Sequence, residues 1–249
     1  MLRESWHVIT VVRNPDHREE ILKLGKDHPG RLEVLVEDIE QHRTAKDAKK
    51  ILDQTKPDYV VWSAGAGGKG GASRTFAVDR DAAKAYIEAG VSTHSIKKFL
   101  LVSYIASRRN NAPWWSQEDC DSAQNTNQNV LKNYFEAKVA ADEFFVAWAE
   151  KRKREGDFAF QAIDLRPGNL TDDPATGKVL LGKTPSGIKV SRADVAHVAV
   201  QLLARDDTRG YYDLLGGSQD VAHAVEKVVR EKSDSLEGED LDRIYALVA

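Results

Sequence analysis

Short runs of β-branched and aromatic residues alternate along the chain with charged, amphipathic stretches, the pattern of parallel β/α units. Residues 6–12 (WHVITVV) predict a first strand, closed by Arg13, Asn14 and Pro15. Asn14 is placed to cap a helix over about residues 15–25, and Pro15 suits its first position. Residues 32–36 (LEVLV) predict a second strand, and 44–55 a solvated helix that stops before Pro57. Residues 58–63 (DYVVWS) predict a third, followed by a glycine-rich turn at 65–71 and a helix at 80–89. Residues 98–105 (KFLLVSYI) run almost unbroken in apolar side chains, as a strand buried on both faces does. A long polar loop with Trp114 and Trp115 leads to a helix around residues 134–154. Residues 160–165 (FQAIDL) predict a fifth strand. Ser191, with Asp194 three positions on, opens a capped helix over 191–205. Residues 211–215 predict an edge strand before a charged helical tail. There are no internal repeats.

This order predicts an α/β fold, a Rossmann-type doubly wound parallel sheet in one domain over 1–249. Its core spans about residues 6–205, with the edge strand and helical tail in 206–249. A chain of 249 residues suits one large α/β domain. The balance of 41% hydrophobic and 30% charged residues is that of an ordinary globular protein. No apolar run approaches the ~20 residues of a membrane span, so no membrane partner is expected. A net charge of -3 and a pI near 6.2 count against nucleic acid as a partner. The opening MLRESWHVIT lacks the features of a secretory signal, and Cys120 is the only cysteine. Disulfides within the chain and cysteine-based metal sites are excluded, and a cytoplasmic setting is expected. The expected partner is a small-molecule substrate; nothing in the pattern bears on oligomeric state.

The pattern G-x-G-x-x-G occurs once, at Gly65, Gly67 and Gly70, after a strand and before a helix. A pyrophosphate loop would be followed about twenty residues on by a strand ending in an acid or base that reads a ribose. Here the next strand ends Val102-Ser103-Tyr104, so a flexible turn is the plainer reading. Lys69 precedes Gly70 rather than Ser or Thr, which rules out a Walker A loop. Tyr134 and Lys138 form Y-x-x-x-K, which puts both on one helix face. An ammonium beside a phenol lowers its pKa and makes it a usable proton donor and acceptor. Spacing alone favours a surface tyrosine beside a solvated lysine. Context favours the first reading, because Ser103 ends a buried strand where open α/β sheets bind ligands. The scattered histidines offer no metal-binding pair, and His197 lies inside a helix. Trp114 and Trp115 follow Arg108, Arg109 and Pro113 and serve either as a lid or as a loop anchor.

Arg13-Asn14-Pro15, Ser63-Ala64-Gly65, Ser103-Tyr104, Tyr134-x-x-x-Lys138 and Leu165-Arg166-Pro167-Gly168, in this order, resemble an atypical or extended short-chain dehydrogenase/reductase. The kind is the NAD(P)H-binding, flavin-reductase-like one, and the likeness covers about residues 6–205. The resemblance implies NADP(H) as cofactor, with Arg13 reading the adenosine 2′-phosphate. A guanidinium pairs with a phosphate where an acid would repel it, although a solvated helix-start arginine has the same sequence. It places Asp38 and Ile39 beside the adenine, Ala64 and Gly65 against the ribose, and Arg166, Pro167 and Gly168 near the nicotinamide. It implies Ser103, Tyr134 and Lys138 as catalytic residues, with no metal.

The chain departs from the family at its beginning. Such proteins open with a strand, a Gly-x-x-Gly-x-x-Gly turn holding the pyrophosphate, and a helix. Residues 1–5 read as only the tail of that helix, so the first strand and glycine loop are missing. The missing strand is central, and its neighbours must pair directly or leave a gap. The expected function is an NADPH-dependent oxidoreductase acting on a small carbonyl, quinone or flavin-like acceptor. The alternatives are a non-catalytic NADP(H)-binding regulatory module or an inactive truncated product.

Overall fold

In a computed structural model that describes residues 1–249, a two-stranded parallel sheet and a larger mixed sheet stand side by side without a hydrogen-bonded ladder between them, and a short third ladder pairs β6 (Asn169–Thr171) with β8 (Lys189–Ser191). The first holds β1 (His7–Val12) and β2 (Arg31–Val36), paired in parallel from His7–Arg31 to Val12–Val36. The second has six strands, in the order β10 (Gln219–Asp220), β7 (Lys178–Gly182), β9 (Gly210–Gly216), β5 (Gln161–Pro167), β4 (Lys98–Val102) and β3 (Tyr59–Trp62). Its parallel part is β3, β4, β5 and β9. The gap anticipated from the sequence therefore lies between β1 and β3. The rings of Trp6 and Tyr59 meet edge-on across its amino-terminal end, with centroids 5.8 Å apart. No residue before His42 is buried, and Val11 and Val61 are 38% and 37% exposed. On either side of the gap, β1 and β3 thus leave apolar side chains partly in water.

Helices cover both faces of the larger sheet, as a doubly wound fold requires. Phe99 and Leu101 of β4 face a core built with α2 (Ala45–Thr55), α4 (Ala83–Ser92) and α6 (Lys132–Arg154). Leu100, between them, faces the opposite core, formed with α7 (Arg192–Leu203) and α8 (Val221–Arg230). This alternation is the two-residue period of a strand buried on both sides. Thr44 and Asp47 form a reciprocal capping box at the start of α2, and Ser191 accepts from the Asp194 N–H at 3.0 Å at the start of α7.

Several expectations need correcting. Residues 210–216 form an interior strand, not an edge. A run between Gly177 and Gly182 makes β7 (Lys178–Gly182), antiparallel to β9, and β10 (Gln219–Asp220) lies outside it. The faces of β9 are buried by the two cores, Tyr211 in the first and Tyr212 and Leu214 in the second. Helix α1 spans only His17–Lys23, with Asn14 bonding the N–H of Asp16 in the preceding turn. The helix expected at residue 80 begins earlier, as α3 (Gly71–Thr75) leading through a π-helical stretch, Phe76–Ala82, into α4. The polar loop after β4 contains α5 (Gln117–Asn125), capped reciprocally by Ser116 and Asp119, then a second π turn, Thr126–Val130. The charged tail ends in a short α9 (Leu241–Tyr245).

Candidate functional site

The carboxyl ends of β3, β4 and β5 converge beneath the first turns of α6. The Ser103 N–H donates to Leu165 at 2.8 Å and ties the end of β4 to β5. Asp79, in the first π stretch, accepts the Ala66 N–H at 3.0 Å. A Cβ on Gly65 would lie 2.8 Å from the other Asp79 oxygen, so glycine lets the turn close on the helix. Burial pushes the Asp79 carboxyl upward, against the Ala66 N–H and the charges of Lys138 and Arg74. The Tyr134 ring lies 5.0 Å from that of Tyr104, whose hydroxyl donates to Asn127 at 2.8 Å. Asn127 belongs to the second π turn and donates to Ala106 at 2.9 Å. Single π turns are uncommon and cluster at functional sites; here both carry side chains into this region.

The three residues expected to be catalytic gather here, but the polar groups of Ser103 and Lys138 are engaged. The Ser103 hydroxyl donates to Asp142 at 2.5 Å and is 4% exposed. Lys138 is fully buried and donates to the Val102 carbonyl at 3.0 Å. Burial, then the negative charges of Asp79 and Asp142, push the Tyr134 phenol well above its usual range. That direction is opposite to the one expected from an adjacent ammonium. Arg166 is 2% exposed, donates to Asp164 at 3.2 Å and lies 3.8 Å from Asp142. Its guanidinium is turned into the interior, toward these two carboxylates. A Cβ on Gly168 would come within 2.1 Å of the Ile188 carbonyl, so that glycine, after Pro167, is fixed by packing.

At the other end, Arg13 is 51% exposed and pairs with Glu40. Asp38 caps the turn after β2, accepting the Glu40 N–H at 3.2 Å, while Ile39 and Ala64 pack against the first core.

Ser103 leads into a buried charge network. Asp142, Asp164, Arg166, Asp213 and Arg108 are all buried, and six of their side-chain atoms, among them Asp164 Oδ1 and Arg166 Nη1, have no hydrogen-bond partner. Arg108, Asp142 and Arg166 border a cavity of about 10 Å3 with Glu239. Burial raises the Asp164 carboxyl, reinforced by Asp142 and opposed by Arg166, and lifts that of Asp213 to about 6. The Arg108 guanidinium lies between Trp114 and Trp115, 5.1 and 4.9 Å from the ring centroids. Both indoles donate to the Thr184 carbonyl at 2.9 Å. The tryptophans thus anchor the loop. A larger cavity of about 520 Å3 lies beside it, bordered by Arg109, Asn111, Gln124, Asn127, Trp115 and Phe135. Its volume suits a small organic molecule.

Residues missed in the sequence left a signal there. Asp142, Asp164 and Asp213 each interrupt an apolar run (AADEFF, AIDL, YYDLL), and a charge inside such a run marks a buried polar site. Glu40 and Arg74 carry no comparable mark.

A dinucleotide meets a mixed fit. The guanidinium of Arg13, with Arg74 on the same carboxylate, suits the adenosine end. The turns after β3 and β4 suit the nicotinamide end. Between them no strand pairs with both β1 and β3.

The fold and the ends of its strands define a Rossmann-type nucleotide-binding protein. A family model described as NAD(P)H-binding matches residues 1–206, and the chain belongs to that family. The flavin-reductase-like extended type named from the motifs agrees with it. UPF0659 protein C216.03 of Schizosaccharomyces pombe is 32% identical over 208 residues, 82% of this chain and 77% of that protein. A solved Bacillus halodurans protein, described provisionally as an NAD-dependent epimerase/dehydratase, superposes with a TM-score of 0.69 at 23% identity. The alignment covers 91% of this chain and 90% of that one. The oxidoreductase ylbE of Lactococcus lactis gives a TM-score of 0.64 at 20% identity, covering 90% and 86%. At such identities the two structures establish the fold. No helix is long and apolar enough to cross a membrane.

Proposed function

We propose that the chain is an NADPH-dependent oxidoreductase that reduces a small carbonyl, quinone or flavin-like acceptor. The observation that carries this reading is the convergence of Tyr134, Lys138 and the Ala64–Gly65 turn at the strand ends, one hydrogen bond from the 520 Å3 cavity through Tyr104 and Asn127. The Lactococcus lactis oxidoreductase of like fold supports it. Bound NADPH supplies the hydride. Arg13 holds the 2′-phosphate, Asp38 and Ile39 flank the adenine, and Ala64 and Gly65 face the ribose. Arg166, Pro167 and Gly168 form the wall behind the nicotinamide. Lys138, fixed by the Val102 carbonyl, orients the nearby ribose. Tyr134 stays protonated throughout the neutral range and donates its proton to the acceptor oxygen. Ser103 reaches that oxygen only by releasing Asp142, so the proton transfer rests on Tyr134. NADPH oxidation with a quinone or free flavin tests this. Tyr134→Phe should slow turnover about a hundredfold, within the usual range for a lost proton donor, with NADPH affinity unchanged. An unaffected rate removes Tyr134 from the chemistry.

The Ser103–Asp142 bond also favours a second reading, a non-catalytic NADP(H)-binding regulatory module. That reading predicts NADPH binding with no acceptor reduced.

A further inference from the structure

Arg13 at the end of β1, Glu40 in the turn after β2 and Arg74 in the helix after β3 meet at one point. Arg74 Nε donates to Glu40 Oε1 at 2.7 Å, and Arg13 Nη1 donates to the same oxygen. One carboxylate oxygen therefore serves two guanidiniums, with the Asp38 carboxylate turned to the Glu40 N–H and Gln41. Arg74 is steadied by contacts from Nη1 to the Ala66 and Lys69 carbonyls at 3.4 and 3.5 Å. Its stem lies across Gly70, whose φ of +84° is the left-handed conformation glycine tolerates. A Cβ there would stand 2.6 Å from Arg74 Cδ. The Asp38 cap fixes the Glu40 main chain.

Resting on the NADP(H) reading above, we infer that this triad selects the adenosine 2′-substituent: Arg74 is a second guanidinium for the 2′-phosphate, and Glu40 is the counter-ion the phosphate displaces. A phosphate ester offers three oxygens and up to two charges, so it can engage both guanidinium forks where a carboxylate engages each through one oxygen. With a 2′-hydroxyl, Glu40 stays in place and can accept the hydroxyl proton in a hydrogen bond. The cluster then binds either nucleotide, and Glu40 sets the balance. Partly exposed ion pairs contribute little to stability, so a purely structural role is a weak account of it.

The test titrates 2′,5′-adenosine bisphosphate, 5′-AMP, NADPH and NADH calorimetrically against the wild type, Arg74→Ala, Arg74→Lys and Glu40→Gln, with melting temperatures alongside. The wild type should prefer the bisphosphate to 5′-AMP. Arg74→Ala should weaken the bisphosphate about ten- to a hundredfold and leave 5′-AMP unchanged, as the loss of one charge-assisted contact does. Arg74→Lys should recover part of that loss, and Glu40→Gln should strengthen bisphosphate binding. Equal effects of Arg74→Ala on both mononucleotides, weaker bisphosphate binding by Glu40→Gln, or no preference in the wild type would each overturn the inference. If the bisphosphate behaves as expected but NADPH does not bind, the inference stands and the dinucleotide reading falls. If NADPH binds but Arg74→Ala weakens NADPH and NADH alike, the reading stands and the inference falls.

Discussion

Replacing Arg166 with methionine removes the cation beside two buried carboxylates while keeping most of the side-chain volume. In the native protein its guanidinium donates to Asp164 at 3.2 Å, stands 3.8 Å from Asp142, and lies 5.5 Å from the Tyr211 ring centroid. Breaking a buried ion pair by removing one partner costs about 3–5 kcal/mol, a large part of the ~5–15 kcal/mol that holds a domain folded. The carboxylates can escape part of that cost by taking up protons. Burial already raises Asp164, and removing Arg166 raises it further. A tenfold gain in proton affinity is worth about 1.4 kcal/mol, so the cost of the substitution should be larger at pH 8 than at pH 5.5. Urea unfolding followed by tryptophan fluorescence measures both. Adding Asp164→Asn in the Arg166→Met background should recover stability at pH 8 and little at pH 5.5. A cost below about 1 kcal/mol, or the same cost at both pH values, would refute the picture of an interior held by this charge pair.

The wild type should show the same sign. A buried carboxyl whose folded pKa is raised favours folding below its unfolded value, and that advantage is lost as pH rises through the folded value. Stability should therefore fall from about pH 4 through pH 6, where Asp213 ionises, and on toward pH 8 as Asp164 follows; a flat profile would contradict the burial of this pair. Placing a strand, a Gly-x-x-Gly-x-x-Gly turn and a helix ahead of Trp6 should raise the melting temperature and tighten NADPH binding. It would cover Val11 and Val61 and bring main-chain N–H groups to the diphosphate. Without that segment, NADPH should bind more weakly than about 1 μM. A tighter Kd would move the diphosphate to the glycine turn at residues 65–71.

The strands were legible because parallel strands buried on two faces are written as nearly continuous apolar runs, and residues 98–102 announce themselves in that way, while 160–165 shows a shorter run that Asp164 interrupts. Short strands packed at one margin do not. Residues 178–182 carry two glycine boundaries and three apolar residues, too little to separate strand from loop until β9 is seen beside them. Helix α5 was hidden for a different reason. Its residues, QEDCDSAQN, are almost all polar, and only the Ser116–Asp119 capping box marks its start. At the site, Tyr134 and Lys138 were found by spacing, since a four-residue step always shares a helix face. Spacing says nothing about what each polar group bonds, and so the engagement of Ser103 by Asp142 and of Lys138 by Val102 came only with the tertiary fold. Arg13, Glu40 and Arg74 lie on three separate elements, and their meeting depends on how β1 stands beside β3, which no local pattern encodes.

The most direct trial is a titration of NADPH and NADH against the wild-type chain and Arg13→Ala. NADPH should bind the wild type about ten- to a hundredfold tighter than NADH, and Arg13→Ala should remove most of that difference while leaving NADH unchanged. Equal affinities of the wild type for the two dinucleotides would contradict the assignment of the β1 end to the 2′-phosphate and, with it, the reading of the chain as an NADP(H) protein.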